Sequence, residues 1–194
     1  MLTKKDVMIT IETLRYGLNV PLFPADEDAD EMDEIDEEML EEAECAAADL
    51  DEEDEDAPQS AQMMMEGRLV ETSRRAELVY HESELTGMEG ASTVISFDTD
   101  EPSLVTMMRG GTVSTALIFE PHRRHICAYH TPFMPFEVCV LAHAVDNRLL
   151  GEGVLDLDYI VELRGAQAER TKFRMDIRTM EGEDPLPRPE VMLG

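Results

Sequence analysis

Along most of the chain, apolar and polar side chains alternate with a period of two, the spacing of a strand with one buried face. The clearest run is VLDLDYIVELR, in which Leu155, Leu157, Tyr159, Val161 and Leu163 share one face and Asp156, Asp158 and Glu162 the other. TKFRMDIRT follows across the linker RGAQAE, with Phe173, Met175 and Ile177 alternating with Lys172, Arg174, Asp176 and Arg178. Folded back as a hairpin, the two runs set basic residues against acidic ones, a favourable cross-strand pairing. The alternation recurs in VMITIET, GRLVETS, AELVYHE, STVISFD, SLVTMMR, TVSTALIFE, RHICAYH and FEVCVLAHA. Turn signals separate these runs at Ser73-Arg74, Asp98 to Pro102, Gly110-Gly111, Pro121-His122, Thr131-Pro132 and Asp146 to Gly151. The Gly110-Gly111 pair predicts a two-residue hairpin turn, because glycine adopts positive φ without steric cost.

Strands joined by short links predict an all-β fold: a single antiparallel up-and-down β-barrel of about 8 to 10 strands, since closure removes exposed edges. A flat sandwich of two sheets satisfies the same periodicity and stays open as an alternative at this point. Residues 1–182 read as one barrel domain. Residues 183–194 read as a Pro-rich flexible tail, because the prolines of PLPRP exclude a central strand.

One segment, residues 24–60, breaks the pattern after the first strand. Within it, Ala25 to Pro58 carries twenty carboxylates and no lysine or arginine. The whole chain has 44 acidic and 16 basic side chains and a net charge of -28; without this stretch the balance is 24 against 16. Met32, Ile35, Met39, Ala43, Ala46 and Leu50 recur at helical spacing, whereas the crowded like charges oppose a helix, so the insertion is expected to be partly helical or disordered. Lengthening a short turn to about forty residues costs only roughly 2 kcal/mol of closure entropy, so the barrel tolerates it. Asp26, Asp28, Asp30 and Glu37 match carboxylate positions of a calcium loop, but Glu31 and Asp33 stand where that loop needs glycine and an apolar residue. Weak, nonspecific cation binding is all that such a match predicts.

The acidic balance argues against nucleic acid and anionic membranes, which need a positive footprint, and favours a cationic partner. Cys45, Cys127 and Cys139 are too few for a disulfide framework, the start MLTKKDVMITIETL has no signal-peptide core, and no run is apolar enough to span a membrane. A cytoplasmic location is expected.

Two constellations are candidates for chemistry. His81, with Glu82, Glu84 and Glu89 of HESELTGMEG, supplies the residue types of a general acid and base; the competing reading is a set of solvated rim acids. In RRHICAYHTPFMPFEVCVLAHAV, a turn centred near Phe133 sets Cys127 opposite Cys139, with His125 and His143 along the same face. These are zinc-ligand types, but no short Cys or His spacing accompanies them, and packed thiols with rim histidines are the competing reading. No metal and no cofactor is assigned. The methionines, including Met63-Met64-Met65 and Met107-Met108, read as core fillers, since neighbours on a strand face opposite ways.

LVYHESELTGMEG (Leu78 to Gly90), VTMMRGG, ALIFE, YHTPF and VLDLDYIVEL together resemble the YwiB-like bacterial family of domains of unknown function. The resemblance covers the first strand and then about residues 63 to 180. It implies a calycin-like, or lipocalin-like, β-barrel and with it a small, apolar ligand in the interior, but no catalytic or ligand residue is carried over. The open end is expected near Glu84, Thr86, Gly87 and Glu89 and near Tyr129, Thr131 and Phe133. The leading expectation is a non-enzymatic binding barrel. The alternatives are a filled barrel whose residues 25–58 bind a basic protein partner, and an enzyme using His81 and its neighbouring glutamates. Whether the interior is filled or hollow separates the first two.

Overall fold

A computed structural model of the protein describes residues 2–18, 58–82, 90–163 and 168–180, and these are organised as strands. In chain order they are β1 (Thr3–Leu18), β2 (Gln59–Glu71), β3 (Arg75–His81), β4 (Ser92–Asp98), β5 (Val105–Gly110), β6 (Ser114–Phe119), β7 (Arg124–His130), β8 (Pro135–Arg148), β9 (Val154–Leu163) and β10 (Ala168–Thr179). Each pairs antiparallel with the next, and β1 pairs with both β2 and β10, so the sheet closes on itself as a ten-stranded barrel. The sandwich alternative is thereby excluded. The calcium-loop match, the helical spacing within the acidic run and the proline-rich tail lie outside the described residues.

The register explains why closure succeeds. Ile9 stands opposite Met65 on one side and Ile177 on the other, Leu78 opposite Ile95, Val105 opposite Phe119, and Leu157 opposite Phe173. These steps meet apolar with apolar on the inner face, and a slip of one residue would turn a whole face outward. Val7, Leu78, Ile95, Val105, Phe119, Leu155 and Met175 are each no more than 1% exposed. Burying a side chain of this size stabilises the fold by about 1.5–3 kcal/mol, so this part of the barrel is a packed core. The methionines follow the alternation: Met63 and Met65 pack on the core while Met64 is exposed, and Met107 is buried while Met108 is exposed.

In β9 and β10, Lys172 pairs with Asp158 and Arg174 with Asp156, as the alternation predicts. The Arg174 Nη1 donor lies 3.1 Å from Asp156 Oδ1. β8 departs from the half-buried pattern. Val138, Cys139, Val140, Leu141 and Ala142 are all buried, so both faces of this strand are closed to solvent. A bulge follows between Ala142 and Ala144, where the backbone N–H of His122 donates to the Ala142 carbonyl at 2.8 Å.

The two-residue turn expected at Gly110-Gly111 is not formed. Gly110 still pairs with Ser92, residues 111–113 make the connection, and neither glycine has positive φ. Gly111 instead serves close approach, since a Cβ there would lie 3.0 Å from the Cβ of Ala91.

Candidate functional site: the barrel mouth

Antiparallel order gathers alternate connections at one end. There β1 stops at Leu18 and β2 starts at Gln59, β3 stops at His81 and β4 starts at Ser92, and β5 to β6, β7 to β8 and β9 to β10 are joined. Toward this end the inner-face positions change from apolar to polar. Thr13 and Arg15 on β1, Tyr80 on β3 and Glu82 just beyond it, Thr93 on β4, Arg109 on β5, Thr115 on β6, Tyr159 on β9 and Thr171 on β10 all lie here. A cavity of about 380 Å³ opens among all of these but Thr93, bordered also by Ile11, Met63, Met107, Leu117 and Phe173. The Tyr159 ring is tilted against Phe119, with 4.7 Å between centroids, and so joins the polar layer to the packed core. The interior is therefore filled in one part and hollow at the mouth.

The centre of the polar layer is a three-strand contact. Arg109 Nη2 lies 3.1 Å from Glu82 Oε1, which also accepts a 2.7 Å hydrogen bond from the Thr93 hydroxyl. Arg109 Nε reaches the same Thr93 oxygen at 3.4 Å. The Glu82 side chain is only 2% exposed and that of Arg109 25%, so the pair is desolvated on the carboxylate side. The Glu82 backbone N–H donates to the Ala91 carbonyl at 2.9 Å, fixing the chain where β3 ends. Near the rim, Arg15 Nε stands 3.8 Å from Glu169 Oε1, with both side chains about half exposed.

Both phenols are held above their ordinary titration range. Burial is the main cause for each, and for Tyr80 the neighbouring Glu82 carboxylate adds to it. Each remains a neutral O–H at physiological pH and can donate a hydrogen bond.

Of the candidate site residues read from the sequence, Glu82 alone lines this cavity among those described. His81 is exposed and, one position earlier on the strand, faces away from Glu82; the structure does not bring the two together. Glu84, Thr86, Gly87 and Glu89 lie outside the described residues. Tyr129 pairs with Phe136 but does not line the cavity. Thr131 ties the turn, its hydroxyl donating to the Met134 carbonyl at 2.8 Å, and Phe133 is 95% exposed.

The cross-strand set of cysteines and histidines is not assembled either. Cys127 pairs with Val138 and Cys139 with Ile126, so the thiols occupy opposite faces of the sheet. The reason is a shift of half a position in the turn: His130 pairs with Pro135, not about a centre at Phe133. His125 contacts Glu120 at 3.1 Å, and the His143 ring lies against His122 at 6.2 Å. Among the described residues no group of three or more His, Cys, Asp or Glu side chains is placed to hold a metal ion.

A larger depression, of about 620 Å³, crosses the outer surface from β2 to β8 and is bordered by Glu12, Asp156, Asp158, Lys172 and Arg174. Its charges are paired with one another on a wet sheet face, as in the contacts of Arg174 with Asp156 and Asp176. The mouth is the better candidate because Glu82 and the two phenols are desolvated there and its polar groups converge on enclosed space.

Fold and site together define a closed β-barrel with a packed core and a polar-lined cavity at one end. The chain belongs to the family described as a domain of unknown function, DUF1934, whose model matches residues 47–175. That stretch leaves out β1, which nonetheless closes the barrel. The crystal structure of the ywiB protein from Bacillus subtilis is similar to this one with a TM-score of 0.56 at 11% identity, over 91% of this chain and 94% of that one, a likeness of fold. A search of curated proteins returns no match.

Proposed function

We propose that this protein is a non-enzymatic binding barrel that takes a small ligand end-on into its mouth, in the manner of calycin-like proteins. The observation that supports it is the cavity of about 380 Å³ bounded by Glu82, Arg109, Tyr80 and Tyr159 over an apolar wall. Binding sites of this kind combine apolar lining with a few convergent polar groups. The reading amends a purely apolar ligand to one with a polar head, because an apolar head would strip water from these groups and leave them unpaired. An enzyme built on His81 lacks support, since its imidazole is exposed and turned away from Glu82. Cys127 and Cys139 are buried thiols on opposite faces of the sheet rather than a disulfide, which fits a reducing compartment, the cytoplasm.

The test is a screen of chemically diverse small molecules against the full chain, followed through the NMR methyl signals of Met63 and Met107. The expected result is a set of ligands that shift both signals and raise the melting temperature. A library that moves neither methyl would refute the reading.

A further inference from the structure

The head group at the mouth is specified by the way Arg109 is held. Its Nη2 is engaged by Glu82 at 3.1 Å and its Nε by Thr93 at 3.4 Å. Among the described residues no acceptor is placed against Nη1, and the side chain, 25% exposed, borders the cavity. The guanidinium is thus anchored along one edge and presents its remaining edge to the cavity, pre-organised as a donor. Arg15, Tyr80 and Tyr159 also border the cavity, and so do Thr115 and Thr171, whose hydroxyls donate to the Ala128 carbonyl and to Glu169 Oε1, each at 3.4 Å. The carboxylate bordering the same space, Glu82, already accepts from both Thr93 and Arg109. Among the described residues the charges at the mouth balance, Arg109 against Glu82 and Arg15 against Glu169, so it is the unengaged edge of Arg109 that selects the head.

We infer that the ligand is a small organic carboxylate with an apolar body, its anionic head on Arg109 Nη1 and its body against Met63, Met107, Leu117 and Phe173. This rests on the binding-barrel reading above and names its ligand class. A carboxylate has acceptor capacity and no donor, which matches the donor edge that Arg109 presents. An amine head would meet two guanidiniums. The net negative charge opposes an anion at long range, but at physiological salt that field is screened over about 8 Å, whereas the contact inside the mouth is direct.

The experiment is calorimetric titration of the full-length protein with octanoate, octanamide and octylamine, which share a chain and differ in the head, repeated with Arg109→Lys. A hydrogen bond to a charged group is worth enough that octanoate is expected to bind roughly tenfold or more tighter than octanamide, with octylamine weakest. Lysine keeps the charge beside Glu82 but loses the forked edge, so octanoate binding falls about tenfold while octanamide binding is unchanged. If Arg109→Lys fails to fold, the three ligands on the unaltered protein decide. Equal binding of octanoate and octanamide, tightest binding of octylamine, or octanoate affinity indifferent to Arg109→Lys would overturn the inference. Neutral or cationic ligands that still shift the Met63 and Met107 methyls would leave the binding barrel standing without its anion; silence from the whole diverse library removes both.

Discussion

Arg109 Nη2 on β5 and Glu82 Oε1 at the end of β3 meet at 3.1 Å across β4, whose Thr93 touches both. The two partners differ in their access to water, with the Glu82 side chain 2% exposed and that of Arg109 25%. Removing one member of a desolvated pair strands the other, and the cost is set by how well the survivor can find solvent.

Arg109→Met is accordingly expected to destabilise the barrel by about 2–3 kcal/mol, below the usual cost for a fully buried pair because Arg109 is partly wet. Glu82→Met should cost only about 1 kcal/mol, since the arginine can turn toward water. The double variant should lie near Glu82→Met rather than at the sum. Urea unfolding of the four proteins measures this, and additive losses would mean that the contact is not energetically coupled.

At the turn between β8 and β9, Gly153 has φ +76 and a Cβ there would lie 2.6 Å from the Ile177 carbonyl oxygen. Strain and a backbone clash act together, so Gly153→Ala is expected to cost about 2–4 kcal/mol. Gly151, two residues earlier, has no positive φ and open space where a Cβ would stand, with nothing within 4 Å, and Gly151→Ala should be neutral within about 0.5 kcal/mol. Thermal unfolding of the pair distinguishes the positions, and equal shifts would contradict the assignment.

Alkaline stability should carry the mark of Cys139. Burial is the main cause that pushes its thiol from an ordinary 9.0 to about 11, against a smaller opposing influence of Arg124. Below about pH 9 both folded and unfolded chains hold the proton, and the group's contribution is fully present. As pH rises toward 11 the unfolded chain loses the proton first, so stability falls, by about 2 kcal/mol over the interval. Cys139→Ala should flatten that part of the pH dependence of urea unfolding. An unchanged slope would assign it to other groups, the buried phenols of Tyr80 and Tyr159 foremost.

The acidic charge makes a kinetic prediction for the inferred carboxylate. Raising salt from about 10 mM to about 150 mM contracts the screening length from about 30 Å to about 8 Å, so the long-range repulsion fades and octanoate associates faster. Stopped-flow association rates measure this; slowing by salt would point to attraction of the opposite kind.

The strands were legible because their two faces differ. In β9 and β10 the inner Leu155, Leu157, Phe173 and Met175 alternate with outer charges, and the pairing of Lys172 with Asp158 follows from that alone. The register of β7 on β8 was not legible, because it depends on the Thr131 hydroxyl bonding to the Met134 carbonyl at 2.8 Å, a contact that carries no periodic signal. A half-position error in the turn was enough to place Cys127 and Cys139 on one face. The mouth was missed for another reason. Tyr80, Arg109 and Thr171 occupy inner-face positions toward strand ends, so extending each strand's parity would have marked them beside Tyr159, which the alternation already placed on the inner face. What parity cannot give is depth along the barrel, which decides whether a polar inner residue borders a cavity or is rim.

β1 is the seam of the barrel: Ile9 is held on one side by Met65 and on the other by Ile177. A ribosome must therefore deliver the chain through β10 before β1 can satisfy its second edge. Until then the nascent sheet has two open margins, each a template for a neighbouring chain. Pairing so remote in sequence is slow to form, which lengthens that exposure. With a net charge of -28, half-built copies repel one another, and that repulsion opposes edge-to-edge pairing for as long as the margins stay open.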